Sequence, residues 1–162
     1  MTKKFLPVIL IAFFLAALAF LFLPRQNDSK LLSLMSTPTL KLTLAIAETK
    51  IMVELADSTE AMRLGLGERD SLPENEGMLF DYGTKRPAVF WMKGMRFPLD
   101  IIWIADGVVV QIDEKIPHEP GVAEQNLKMY PSNQEVDSVL EVNAGFTKKN
   151  NIKVGDLITI AN

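Results

Sequence analysis

Leu40, Leu42, Leu44 and Ile46 alternate with Lys41, Thr43 and Ala45. A period of two puts one set on a buried face and predicts a half-buried strand. Ile51, Val53 and Leu55 repeat the pattern after Glu48-Thr49, so the two segments predict a hairpin. Asp57-Ser58-Thr59-Glu60 breaks the alternation. Asp57 with Glu60 three residues on matches a capping box with aspartate as the cap. Ala61, Met62 and Leu64 then supply a short helix, which Gly65 or Gly67 can end.

Beyond Pro73 the strand signals return in Gly77–Phe80, Ala88–Met92 and Leu99–Ala105. Asp106-Gly107 between apolar runs predicts a two-residue hairpin turn, because both positions tolerate positive φ. Val108–Ile112 is then the return strand. Pro117, Pro120 and Pro131 make the next stretch a long loop, and Val136–Val142 and Leu157–Ile160 close the chain as strands. The expectation is a mainly β module over residues 39–162, a sandwich or small barrel with one short helix.

A different pattern occupies the N-terminus. Phe5 to Leu23 is apolar throughout, interrupted only by Pro7, and Lys3 and Lys4 precede it. At about 1.5 Å per residue the run nearly spans a hydrocarbon core of roughly 30 Å. The lysines predict a cytoplasmic N-terminus and an exported body. A cleaved signal is the alternative, since Ala17-Leu18-Ala19 fits a cleavage site, although Phe20–Leu23 carries the apolar run past it. Residues 1–24 therefore read as an anchor or signal segment and residues 25–38 as a linker. The expected address is the cell membrane, single-pass, or the periplasm if cleavage occurs.

Charge and composition narrow the function. The formal net charge is −3, and setting aside the three cations Lys3, Lys4 and Arg25 leaves the remainder at −6. An acidic body without a basic stripe argues against nucleic acid as a partner. The chain has no cysteine, which excludes disulfides, thiol catalysis and thiolate metal sites. With His118 the only histidine, a histidine-rich metal centre is excluded too. No nucleophile elbow, zinc-protease motif or phosphate-binding glycine loop occurs. No cofactor is expected. Asp100, Asp106 and Asp113 are possible calcium ligands, but no calcium loop frames them.

The informative residues are charges set in apolar strands. Asp100 lies in Leu99–Ile104, Lys93 follows Phe90-Trp91-Met92, and Glu141 lies in Val139–Val142. An unpaired buried charge is costly, so each faces solvent, has a structural partner or serves a site. The candidate polar pocket joins Arg69, Trp91, Lys93, Asp100 and Glu141. Buried packing is the plainer use of Trp91 and Trp103. Three functions stay open. One is a binding or accessory module. Another is a structural or interaction domain, with a loop such as Ile116–Pro131 as its surface. The third is a hydrolase using Asp100 and Glu141 as acid and base, with Lys93 as stabiliser.

Gly65-Leu66, Arg69, Gly77–Phe80, Phe90–Lys93, Pro98–Ile102, Val139–Val142, Ala144-Gly145 and Gly155-Asp156 occur in that order. This series resembles the domain of unknown function family 192, from about Leu40 to Ile160. The resemblance implies a jelly-roll-like β-sandwich or barrel behind a signal or anchor, with no established activity. Two positions depart from the family pattern. Gly67 stands where methionine often follows Gly-Leu, and Gly94-Met95 stands where Asn-Thr is common.

Overall fold

The computed structural model describes residues 40–161. The membrane segment expected over residues 1–24 and the linker over 25–38 lie outside them. Among the described residues no helix is long and apolar enough to cross a membrane.

Strands β1 (Lys41–Ile46) and β2 (Thr49–Ala56) form the first hairpin, with Ile46 opposite Thr49 and Ala47 at φ 50° in the turn. Helix α1 (Thr59–Leu64) follows. Its cap is Ser58, not Asp57. Ser58 is extended, and its side chain accepts from the Ala61 amide at 3.2 Å. Glu60 turns outward to Arg63 instead of back to the cap. Gly65 ends the helix at φ 52°.

The remaining strands are β3 (Glu76–Arg86), β4 (Val89–Trp91), β5 (Leu99–Ala105), β6 (Val108–Ile116), β7 (Met129–Pro131), β8 (Val136–Asn143) and β9 (Ile158–Ile160). Asp106 and Gly107 turn β5 into β6 with φ of 52° and 71°, the two positive values such a turn requires. A second helix, α2 (Phe146–Lys149), stands against the expectation of one. Four residues carry no helical periodicity, so a pattern search passes over them. β3 and β6 also outrun their apolar segments, because β8 and β5 continue to pair with their polar halves.

Seven strands form one sheet in the order β6-β5-β8-β3-β2-β1-β9. Its pairs are antiparallel except β2 with β3, which the segment carrying α1 connects. The sheet curls into a half-barrel. At one end its edges meet: Val108 bridges Leu157, and the Ile158 amide donates to the Gly107 carbonyl at 2.8 Å.

Apolar side chains pack on both faces. The concave side gathers Leu44, Ile46, Ile51, Val53, Ile102, Ile104, Leu140, Val142 and Phe146. The other gathers Met78, Phe80, Leu99, Ile101, Trp103 and Val139 beneath Phe90 and Tyr130 of a two-stranded β4-β7 ribbon. All seven residues of β5 are buried, as a strand covered on both faces demands.

Candidate functional site

Alternation along β5 and β8 decides which charges can meet. Asp100 pairs in register with Val142, and Glu141 pairs with Ile101. Residues opposite one another share a face, so Asp100 points to the concave side and Glu141 to the side under the ribbon. The sheet backbone lies between the two carboxyls. They cannot serve one substrate as acid and base, which removes the physical basis of the hydrolase reading.

Asp100 is fully buried and bound on every side. Its carboxylate accepts from the amides of Lys115 (2.8 Å), Gly145 (2.9 Å) and Thr147 (3.0 Å), and from the Thr147 hydroxyl (2.7 Å). It therefore satisfies the free amides at the start of α2 from outside that helix. Neither Lys93 nor Arg69 is its partner. Arg69 instead makes a two-pronged contact with Glu54, at 2.9 and 2.8 Å. That hydrogen bond, with the guanidinium charge, outweighs burial and holds the Glu54 carboxyl below its ordinary range. Asp106 pairs with Lys85, and Asp113 takes the Trp103 indole at 2.7 Å. Among the described residues no three acidic or histidine side chains group as metal ligands.

Three of the five sequence candidates do line one cavity of about 360 Å³: Trp91, Lys93 and Glu141. It lies between α1 with its following turn, the β4 strand with its turn, and the sheet. Phe80, Phe90, Leu66 and Glu141 are its buried lining, and Trp91, Lys93, Arg63 and Glu68 are exposed at its mouth. Trp91 is 40% exposed rather than core, because in the three-residue β4 the alternation turns Phe90 inward. Trp103 is the core tryptophan, at 0%.

The Glu141 side chain is the unusual group. Its residue is only 4% exposed, and burial alone pushes its carboxyl up to about 8. Neither a neighbouring charge nor a hydrogen bond offsets that burial. Every fully enclosed side-chain nitrogen or oxygen among the described residues has a hydrogen-bond partner. The carboxyl of Glu141 has none, so its remaining exposure must face the cavity.

The charges at the mouth are already matched. Arg63 pairs with Glu60 at 2.6 Å, Lys93 with Glu124 at 2.7 Å and Glu68 with Arg96 at 2.9 Å. Lys93 also lies 5.4 Å above the Trp91 ring. Tyr82 is half-buried on the cavity wall. Its hydroxyl is pushed up by burial, and the nearby Glu141 acts in the same direction while Arg86 opposes it.

The two departures from the family pattern meet in the cavity wall. A Cβ on Gly67 would lie 3.1 Å from the Lys93 carbonyl and 4.0 Å from the Gly94 Cα. The Glu68 amide donates to the Gly94 carbonyl at 2.9 Å. The turn after α1 and the turn after β4 are thus seated backbone to backbone.

Sequence reasoning missed Phe80 and Tyr82 as cavity residues because the expected strand stopped at Phe80. Their spacing of two along the strand, on the face of Met78, was the available signal.

A family model, DUF192, described as "Uncharacterized ACR", matches residues 42–160. A candidate transcription regulator from Sinorhizobium meliloti 1021, solved as a crystal structure, is similar at 32% identity and a TM-score of 0.69. The match covers 77% of this chain and 97% of that one. A protein of unknown function from Novosphingobium aromaticivorans is similar at 28% identity and a TM-score of 0.64, over 75% of this chain and 84% of that one. No curated protein matches the chain. The family match spans nearly the whole β body and agrees with the ordered blocks from Gly65 to Asp156: the chain belongs to the DUF192 family.

Proposed function

We propose that this chain is a membrane-anchored, extracytoplasmic binding module whose ligand enters the cavity above Glu141. The observation that carries the reading is a carboxyl buried in the wall of an open cavity without a partner among the described residues. Such a group costs stability unless something outside the fold uses it. A concave, mostly apolar site with a few convergent polar groups is the usual form of a small-molecule site, and about 360 Å³ is at the small end of the range. The apolar run Phe5–Leu23 behind Lys3 and Lys4 supports the anchor and the outward orientation. The jelly-roll-like description belongs to this proposal as well, with the β4-β7 ribbon as a second layer over the curled sheet. The regulator description of the Sinorhizobium relative is not carried over, because a net charge of −3 disfavours phosphate binding.

A second reading rests on the outer face of the ribbon. Val89, Trp91 and Met129 are 58%, 40% and 49% exposed, an apolar stripe that suits a protein partner.

The test is a thermal-shift screen of the full-length chain in non-ionic detergent, using small amines, acids, sugars and envelope fragments. A ligand selective for the folded state raises the melting temperature. True ligands should also change Trp91 fluorescence. Met62→Trp, which fills the cavity from α1, should abolish the shift. No hit across the panel, or hits indifferent to Met62→Trp, would discard the cavity reading and leave the ribbon stripe.

A further inference from the structure

Resting on that reading, we infer that the cavity takes an organic cation, an alkyl- or arylalkylammonium whose charge lies against Glu141 and whose apolar part lies along Phe80, Tyr82 and Phe90. Three observations lead there.

The first is charge bookkeeping inside the cavity. The charged groups that share the cavity with Glu141 are Arg63 and Glu68 from α1 and its turn, and Lys93 from the turn after β4, and none of them shifts its carboxyl. Each is exposed and already has a partner in Glu60, Arg96 or Glu124. Tyr82, from β3, is held neutral by its burial. Within the sheet, the neighbours of Glu141 in register are Met78 and Ile101, both apolar. Glu141 is therefore the only charge-bearing group of the cavity without a counter-charge among the described residues. A cation is the ligand that supplies one.

The second is the wall. Phe80, Tyr82, Phe90 and Trp91 all line the cavity. Aromatic faces attract cations through their quadrupole, and they also cover apolar substituents on nitrogen. An ammonium carrying alkyl or aryl groups sheds less water than a bare ion, so the buried site favours it. A divalent metal fits poorly, because hard cations take six or so oxygen ligands and the cavity offers two carboxylates, Glu68 at the mouth and Glu141 at the base.

The third is the protonation state. Burial leaves Glu141 largely neutral at physiological pH, with its carboxyl at about 8. A bound cation favours the ionised form and drives the proton into solvent. Affinity for a ligand of permanent positive charge must then rise with pH up to about 8 and level off above it. A ligand that accepts a hydrogen bond from the neutral acid must show the opposite slope.

The experiment compares benzyltrimethylammonium, benzyl alcohol and phenylacetate by titration calorimetry on the full-length chain in non-ionic detergent, at about pH 6, 7, 8 and 9. The quaternary ammonium should bind best. Its affinity should grow by close to tenfold per pH unit below the carboxyl's pKa. Proton release should appear as an enthalpy that depends on the buffer. Glu141→Gln, confirmed folded by its melting curve, should weaken ammonium binding at least about tenfold at pH 9 and abolish the pH dependence. Phenylacetate binding that is stronger at pH 6 than at pH 8 would overturn the cation and leave a binding module that uses a neutral acid. Equal binding of benzyl alcohol and the ammonium would overturn it in favour of a purely apolar site. If none of the three binds, the cation inference fails, whereas the binding reading fails only if the wider screen is also blank.

Discussion

Glu141 is a carboxylic acid in a place where its ionised form has lost water and gained nothing in return. Desolvation moves the equilibrium toward the neutral acid, and no cation among the described residues draws it back. The sign for stability follows. The native state holds a proton that the unfolded chain releases once the pH exceeds the ordinary value of 4.5. Stability attributable to this group is thus complete in acid, falls as the pH rises from 4.5 to about 8, and is flat above. Glu141→Gln keeps the shape and removes the titration. Its urea midpoint should match wild type at about pH 4 and exceed it at pH 9 by an amount worth a few kcal/mol. Parallel curves for the two proteins would mean that the carboxyl is solvated. Lys93 and Arg63 are exposed and paired at the surface, where solvent screening leaves an ion pair little to contribute.

Asp100 works at the scale of elements. It sits on β5, and its carboxylate ties the Lys115 amide of β6 to the start of α2 through Gly145 and Thr147. Lys115 has φ 54°, and the β5-β6 register slips between Leu99 and Ile101, so an outside acceptor serves an amide at an irregular point of the ladder. Asp100→Asn turns one accepting oxygen into a donor facing donors. It should lower stability by about 2–4 kcal/mol in urea unfolding. Thr147→Val removes a single hydroxyl bond and should cost about 1–2 kcal/mol. The two losses should be far from additive, since both act on the same carboxylate. Additive losses would mean that Asp100 and Thr147 act separately. The same network explains why a charge in an all-buried strand is no sign of catalysis here: its acceptor capacity is used up inside the fold.

At the scale of the molecule, the last strand joins both edges of the sheet. β9 pairs with β1 through Ile158–Ile160, while Asp156 and Leu157 just before it meet Val108 and Val109 of β6. Without that segment, β1 becomes an open edge with unpaired amides and carbonyls. Truncation after Val154 should lower the melting temperature by several degrees and produce association on size-exclusion chromatography in non-ionic detergent. A truncated chain that remains monomeric at unchanged stability would show that the closure is incidental. The cavity lies away from this seam, between α1, β4 and the sheet, so its ligand should still bind to whatever fraction stays folded.

The amino-acid sequence by itself determined the strands that carry a local signal, alternation of apolar and polar residues in β1 and β2 and an apolar run in β5 and β8. It set β1, β2, β5 and β8 nearly to the residue, and the Asp106-Gly107 turn with them. It also marked Asp100, Lys93 and Glu141 as charges out of keeping with their apolar surroundings. Only the tertiary structure decided what each one faces. Asp100 and Glu141 look alike in sequence, each an acid in an apolar run. A register that pairs Asp100 with Val142, and therefore turns Glu141 away, makes one an internal cap and the other an open acid. Likewise α2 and β7 exist because distant residues hold them, Asp100 at the start of α2 and β4 alongside β7. Pairing across the sheet is non-local, and no period along the chain encodes it.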